Sequence, residues 1–406
     1  MKNKKIIINL LIILIAIAGF YLLSPYFLPE SEGKTISENV PGVTDEEIVI
    51  GSSLALGGHA SFLGTQTNHG AQSYINKINE NGGIHGRTIN LISYDDEYDP
   101  EKCVNNTNKL INEDNVFSLF SYVGTPTSVK VIPIIDEKDI PLVGLFTGAN
   151  ALRDPVNPNI FNIRASYYQE VGAVIKNLVE DLGVEKIAVF YQDDAYGLDG
   201  LTGAEIALNE YNLSPVSTGT YIRGTNDVEE ALDTIIESQA EAVIMIGTYS
   251  PCAKFIKLAK EKEYNPLFHN VSFVGAAALA EELGEDGEGV VITQVVAPPI
   301  DTIPLPAIEE YTNLLNKYYP EDEPDFVGLE GFINAKILVE GLERAGKDLT
   351  RDNFKKALES IENYPVGIGS PINFSSDDHQ GLEEVYFTQI RNQELKLFSS
   401  WKIIKW

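Results

Sequence analysis

Asp139-Ile140-Pro141-Leu142-Val143-Gly144-Leu145-Phe146-Thr147-Gly148-Ala149-Asn150-Ala151-Leu152-Arg153-Asp154 decides how this chain is read. The apolar run Leu142 to Leu145 predicts a short buried strand. A turn of small residues follows, and Thr147 and Gly148 stand where the strand is expected to give way to the first turn of a helix. The opening N–H groups of a helix lack partners inside it and carry the positive end of its dipole, so such a turn suits an anion. In open α/β sheets ligands gather at this carboxyl edge. The same residues also suit an ordinary βα turn, so the flanking sequence has to decide.

Strand and helix signals alternate on both sides of it. Ile48 to Leu54, Thr88 to Tyr94 and Phe117 to Val123 read as strands. Helices are expected over Thr67 to Asn79 and after Asp99-Pro100 and Thr125-Pro126, two cap-then-proline signals. A second unit begins after Ile160 to Ile163 and ends with Val290 to Val296. Its strands are predicted at Lys186 to Tyr191, Val216 to Tyr221, Ala242 to Ile246 and Ser272 to Gly275, with helices between. The last section is mixed: helices Ala307 to Tyr319, Phe326 to Ala345 and Arg351 to Ile361, and strands Ile372 to Phe374, Val385 to Arg391 and Leu395 to Ile404. The βαβα order predicts an α/β fold with parallel sheets covered by helices on both faces.

A chain of 406 residues has room for two cores. Its net charge of −29 supplies no basic footprint for nucleic acid, so none is expected as a partner. Lys2, Lys4 and Lys5 precede a run from Ile6 to Leu23 that is apolar apart from Asn9 and long enough to span a bilayer. Ala16-Ile17-Ala18 would suit a signal peptidase, but apolar residues continue beyond it. Residues 1–28 are therefore expected to be an uncleaved membrane anchor with the main body exported, and 29–44 a tether. Cys103 and Cys252 are read as free buried thiols.

Several short stretches make the chain resemble the leucine/isoleucine/valine-binding type of extracytoplasmic solute-binding proteins of ABC transporters. They are Gly82-Gly83-Ile84-His85-Gly86-Arg87, Tyr94-Asp95-Asp96 with Asp99-Pro100, Phe146-Thr147-Gly148-Ala149, Tyr191 to Gly197, and Ser272-Phe273-Val274-Gly275. The resemblance implies a type I periplasmic binding fold. Two doubly wound lobes would be joined by crossings near Phe161 to Arg164, Val295 to Pro298 and Glu384 to Phe387, with the ligand cleft between them. One lobe would hold residues 45–162 plus 298–384, the other 163–297 plus 385–406.

The resemblance also implies ligand contacts. A ligand carboxylate would be held at Gly124-Thr125 and at the turn Phe146-Thr147-Gly148, with an apolar wall from Ser61-Phe62-Leu63. The other lobe would add Tyr196, Tyr249 and a polar contact near Gln169. At Ala277, where amino-acid binders of this kind place the acidic partner of the ligand's ammonium, the sequence reads Ala276-Ala277-Ala278; Glu330 is the candidate substitute. The implied partners are a small carboxylate or amino-acid ligand and ABC permease subunits. No cofactor or metal is expected, and Asp193-Asp194 reads as capping and surface charge. A sensing ectodomain with a separate signalling partner is the alternative. Catalysis would need a pair such as Cys252 with His269, expected in a loop, and no nucleophile motif surrounds either.

Overall fold

The structure is a computed structural model that describes residues 40–299 and 304–404. The expected anchor and residues 29–39 of the tether lie outside the described residues. Among those described, no helix is long and apolar enough to cross a membrane.

The first sheet has five parallel strands, β1 (Glu47–Leu54), β2 (Thr88–Asp95), β3 (Ser118–Phe120), β4 (Leu142–Val143) and β5 (Ile160–Phe161), in the order β2-β1-β3-β4-β5. The register sets Ile50 against both Leu91 and Ser118, and Leu142 against Leu119 and Ile160. Its helices are α1 (Ser61–Glu80), α2 (Pro100–Asn112) and α3 (Thr125–Lys138). The cap expected at Asp99 is present: its side chain accepts from the N–H groups of Glu101 and Lys102, with Pro100 in the first turn.

The second sheet has seven strands: β6 (Ile187–Gln192), β7 (Ser217–Tyr221), β8 (Ala242–Ile246), β9 (Leu267–Asn270), β10 (Val291–Gln294), β11 (Tyr386–Arg391) and β12 (Glu394–Phe398). Their order is β12-β11-β10-β9-β8-β6-β7. β6 to β10 are parallel, and β8, covered on both faces, is apolar at every position. β11 joins β10 and β12 antiparallel. Asn392 and Gln393, both at positive φ, make the tight β11–β12 turn that such a hairpin needs. The accompanying helices are α4 (Tyr167–Glu180), α5 (Ala195–Asn209), α6 (Glu229–Glu237), α7 (Tyr249–Glu261) and α8 (Ala276–Leu283).

Three late helices, α9 (Pro306–Tyr318), α10 (Phe326–Ala345) and α11 (Arg351–Glu359), return to the first sheet. Phe332 of α10 meets Tyr74 of α1 edge-on at 5.2 Å. Arg351 of α11 donates to the carbonyls of Val116, Phe117 and Lys138.

Several expected elements come out differently. The strand expected over Phe117 to Val123 ends at Phe120, because Ser121 turns to positive φ. Thr147-Gly148 opens no α-helix; only a 3-10 turn, Asn150–Leu152, follows. Ser272–Val274 is a 3-10 turn rather than a strand, and Ile372 makes one isolated bridge, to Tyr364. After β12 the chain forms the 3-10 turn Trp401–Ile403, which buries Trp401 against Phe387 and Phe398. Both cysteines are free and buried, as expected.

Candidate functional site

The carboxyl ends of the two sheets' parallel strands converge on one region, the place where open α/β sheets collect ligands. From the first sheet, β3 leads to Gly124-Thr125 and β4 leads to Phe146-Thr147-Gly148. Thr125 starts α3, but its hydroxyl does not cap that helix; Gly124 holds the cap position at φ 95°. The Thr125 hydroxyl instead meets the Thr147 hydroxyl, the oxygens 2.7 Å apart and both side chains buried. Thr147 Oγ1 also accepts from the N–H of Ala149 at 3.3 Å and lies 3.4 Å from the Tyr167 hydroxyl. Gly148 allows this closeness. A Cβ there would stand 2.6 Å from the Tyr167 ring and 2.7 Å from its backbone nitrogen.

From the second sheet, β6 leads to Tyr196, β8 to Tyr249 and β9 to Phe273. Phe273 is the centre of a ring cluster, 4.8 Å from Tyr196, 5.5 Å from Phe146, 5.9 Å from Tyr98 and 6.5 Å from Tyr167, centroid to centroid. Tyr196 is fully buried and donates to the Gly247 carbonyl. Its helix is capped by Asp194, which accepts from the Tyr196 N–H and pairs with Arg223, so the Asp193-Asp194 motif is used in capping. Nearer the surface, Phe62 meets Tyr249 edge-on at 6.3 Å, and Gly275 lies under Leu63 and Phe62. Ser61 starts α1 at the same edge, and Ala277 lies in the first turn of α8 beside it. A groove of about 660 Å³, lined by Pro126, Lys130, Ala195 and Arg223 among others, runs alongside. Pro126 and Ala195 are the chain neighbours of Thr125 and Tyr196.

Charges gather on the side where the chain links the two sheets. Arg164 follows β5 and is fully buried. It donates to Glu170 of α4 at 3.0 Å and to the Ser272 hydroxyl, and stands 3.4 Å from both carboxylate oxygens of Glu330 on α10. Its guanidinium also lies over the rings of Phe146 and Tyr167. Glu170 is held further by the N–H and hydroxyl of Ser272 and by Thr293. Glu330 has no such set of donors, and burial pushes its pKa up to about 7, against the pull of Arg164.

A family model described as "Periplasmic binding protein" matches residues 47–394. The chain belongs to that family. A solved structure of a possible leucine/isoleucine/valine-binding protein from Rhodopirellula baltica SH 1 superposes with a TM-score of 0.84 at 34% identity, covering 90% of this chain and 98% of that one. Leu/Ile/Val-binding protein homolog 7 of Brucella abortus (strain 2308) is 24% identical over 371 residues, 86% of this chain and 90% of that relative. A branched-chain amino acid ABC transporter structure from Thermus thermophilus with bound valine shares the fold, with a TM-score of 0.80 at 19% identity over 88% of this chain and 97% of that one.

Membership of the periplasmic binding proteins brings a solute-binding role and an extracytoplasmic setting; the relatives are binding proteins rather than enzymes. Within this binding protein, the structure brings Gly124, Thr125, Phe146, Thr147, Gly148 and Tyr196 together at the centre. It sets Ser61, Phe62, Tyr249 and Ala277 at the outer edge. Gln169 and Glu330 stand apart from these. Gln169 caps its own helix in a reciprocal pair with Ser166 and accepts from Gln380. Glu330, read from sequence as a candidate stand-in for the ammonium partner, is buried against Arg164. His269 lies in β9 rather than in a loop, fully buried, with its pKa lowered to about 3 by that burial. Burial also raises the Cys252 thiol pKa, away from the reactive thiolate.

Sequence reading missed Tyr98, Tyr167, Phe273, Arg153, Arg164 and Glu170. Two left a signal. Ser166 and Gln169 spell a capping box that starts a helix at Tyr167, and Phe273 lies inside a stretch already singled out. Arg164 was placed at the end of an expected crossing, but nothing local marks an arginine for burial.

Proposed function

We propose that this periplasmic binding protein captures a small apolar carboxylate between two lobes, residues 45–162 plus 298–384 and 163–297 plus 385–406, and delivers it to an ABC permease. Residues 1–28 hold it on the outer face of the cytoplasmic membrane. One observation carries the ligand class: the Thr125 and Thr147 hydroxyls meet at 2.7 Å at the carboxyl ends of β3 and β4. Each hydroxyl carries one proton, so a carboxylate that replaces the contact between them accepts from both, and hydrogen bonds to a charged group are worth about 1.5–3 kcal/mol each. Phe62, Tyr196, Tyr249 and Phe273 then supply apolar surface for the rest of the ligand.

An ammonium has less to meet. Ala276, Ala277 and Ala278 carry no carboxylate, Glu330 faces Arg164, and Glu170 is taken by Ser272 and Thr293. Burying an ammonium without a partner keeps its desolvation cost. The reading therefore favours the acid over the matching α-amino acid, even though the relatives are named for leucine, isoleucine and valine.

The test is a thermal-shift comparison of 4-methylpentanoate, L-leucine and 3-methylbutylamine, which share a branched apolar body. The acid should stabilise most; at a hundredfold excess over Kd the gain is about 2.7 kcal/mol. The amine should do nothing. Stabilisation by leucine with none from 4-methylpentanoate overturns the ligand class, and stabilisation by the amine overturns the role of the threonine pair.

A further inference from the structure

Arg153 ends the turn that follows Thr147, and its buried guanidinium is shared among four acceptors. Nη1 donates to the Ala149 carbonyl at 2.7 Å. Nη2 donates to the carbonyls of Thr147 at 3.2 Å and Arg164 at 3.1 Å. Nε donates to Gln380 Oε1 at 3.0 Å. Two acceptors belong to the threonine turn itself. The third lies on the segment from β5 to α4, and the fourth on the segment leading to β11.

Those two linking segments run side by side. The Asn162 N–H donates to the His379 carbonyl at 2.8 Å, and the Gly381 N–H donates to the Asn162 carbonyl at 2.9 Å. Gln380 passes the connection on, because its Nε2 donates at 2.7 Å to Gln169, the capping-box partner of Ser166 at the start of α4. The turn is also held from the second sheet: the Asn150 N–H donates to Asp199 Oδ1 of α5 at 3.0 Å.

We propose that Arg153 is a positioning residue that joins the Thr147 turn to both linking segments, so that a shift of the turn is passed to the place where the two halves would pivot. It draws the carbonyls of Thr147 and Ala149 to itself and so fixes the turn's orientation. Arginine suits this and lysine does not: a planar fork with five N–H donors serves separated acceptors at once, whereas an ammonium is a single point. The role does not depend on which ligand binds, and a failed ligand screen leaves it standing.

Hydrogen–deuterium exchange on the unliganded protein tests it. Gln380→Ala breaks the link to the segment leading to β11 without touching the threonine turn. Amides of residues 146–152 should exchange at least threefold faster in that variant, although Gln380 touches none of them. Arg153→Lys should do the same, and the double variant should be no faster than Arg153→Lys alone, since both act through one connection. The β8 amides serve as a control and should not change. Faster exchange confined to residues 378–382 in Gln380→Ala, or additive effects in the double variant, overturns the proposal. Gln380 is half-buried, so its variant carries the test by itself if Arg153→Lys does not fold.

Discussion

On its linking side the cleft buries charges; at its centre it buries rings. Arg153, Arg164, Glu170 and Glu330 lie together on the linking side with at most a few per cent of surface exposed on the last three. At the centre, Tyr98, Phe146, Tyr167, Tyr196 and Phe273 pack with centroids 4.8 to 6.5 Å apart around Phe273. The charged side is specific because a buried charge tolerates few geometries, and each partner lost leaves another uncompensated. The ring side tolerates change better, because dispersion and apolar burial are not directional. The charged side therefore suits a joint that keeps one geometry, and the ring side suits a surface that adapts to a ligand's body.

Breaking the charged side should cost most. Arg164→Met strands Glu170 and Glu330 in the interior, and about 3–5 kcal/mol of stability should be lost. Urea unfolding followed by circular dichroism measures it. A loss under about 1 kcal/mol, inside the range typical of exposed pairs, would mean the cluster is solvated and the contrast is false.

Opening the ring side comes next. Phe273→Ala removes the ring that the other four share and should cost about 3 kcal/mol. The same variant should accept bulkier acids than the natural protein does, read by thermal shift with a series from 4-methylpentanoate to 3-phenylpropanoate. A variant that loses stability but keeps the natural ligand size profile would make Phe273 core packing alone.

The charged side should also respond to pH. Glu330 has a folded pKa of about 7 against an ordinary value of 4.5. Between those values the unfolded chain has released the proton and the folded protein keeps it, so stability falls as pH rises from about 4.5 to 7. The slope is at most about 1.4 kcal/mol per pH unit for one group. Asp96, Asp199 and Asp325 are also raised by burial, so the useful quantity is the difference between the natural protein and Glu330→Gln. Glu330→Gln should flatten part of the decline. Identical slopes would show that Glu330 ionises freely.

What was legible in the sequence follows the same division. The alternation of strands and helices, the Asp99-Pro100 cap and the threonine at each of two strand ends could be read because their causes are local. Tyr196 and Tyr249 were picked out only through the family resemblance. The pairing of Thr125 with Thr147 depends on β3 and β4 lying side by side, and the cap-then-proline signal at Thr125 pointed to the wrong use of its hydroxyl. The charged side was unreadable for a stronger reason. Arg164 meets Glu330 across 166 residues of chain, and Ser272 meets Glu170 across 102. No spacing rule spans such distances. Glu330 was picked out near the cleft, but its partner was not.

The account turns on the threonine pair as a carboxylate site. Isothermal titration of 4-methylpentanoate into the natural protein and into Thr147→Ala measures it most directly. Loss of one charge-assisted hydrogen bond should weaken binding by about 1.5–3 kcal/mol, or roughly 10- to 150-fold. Thr125→Ala should behave alike, and the two together should cost less than their sum, because the hydroxyls touch. Unchanged affinity in Thr147→Ala would contradict the account and leave the stretch from Asp139 to Asp154 an ordinary strand and turn.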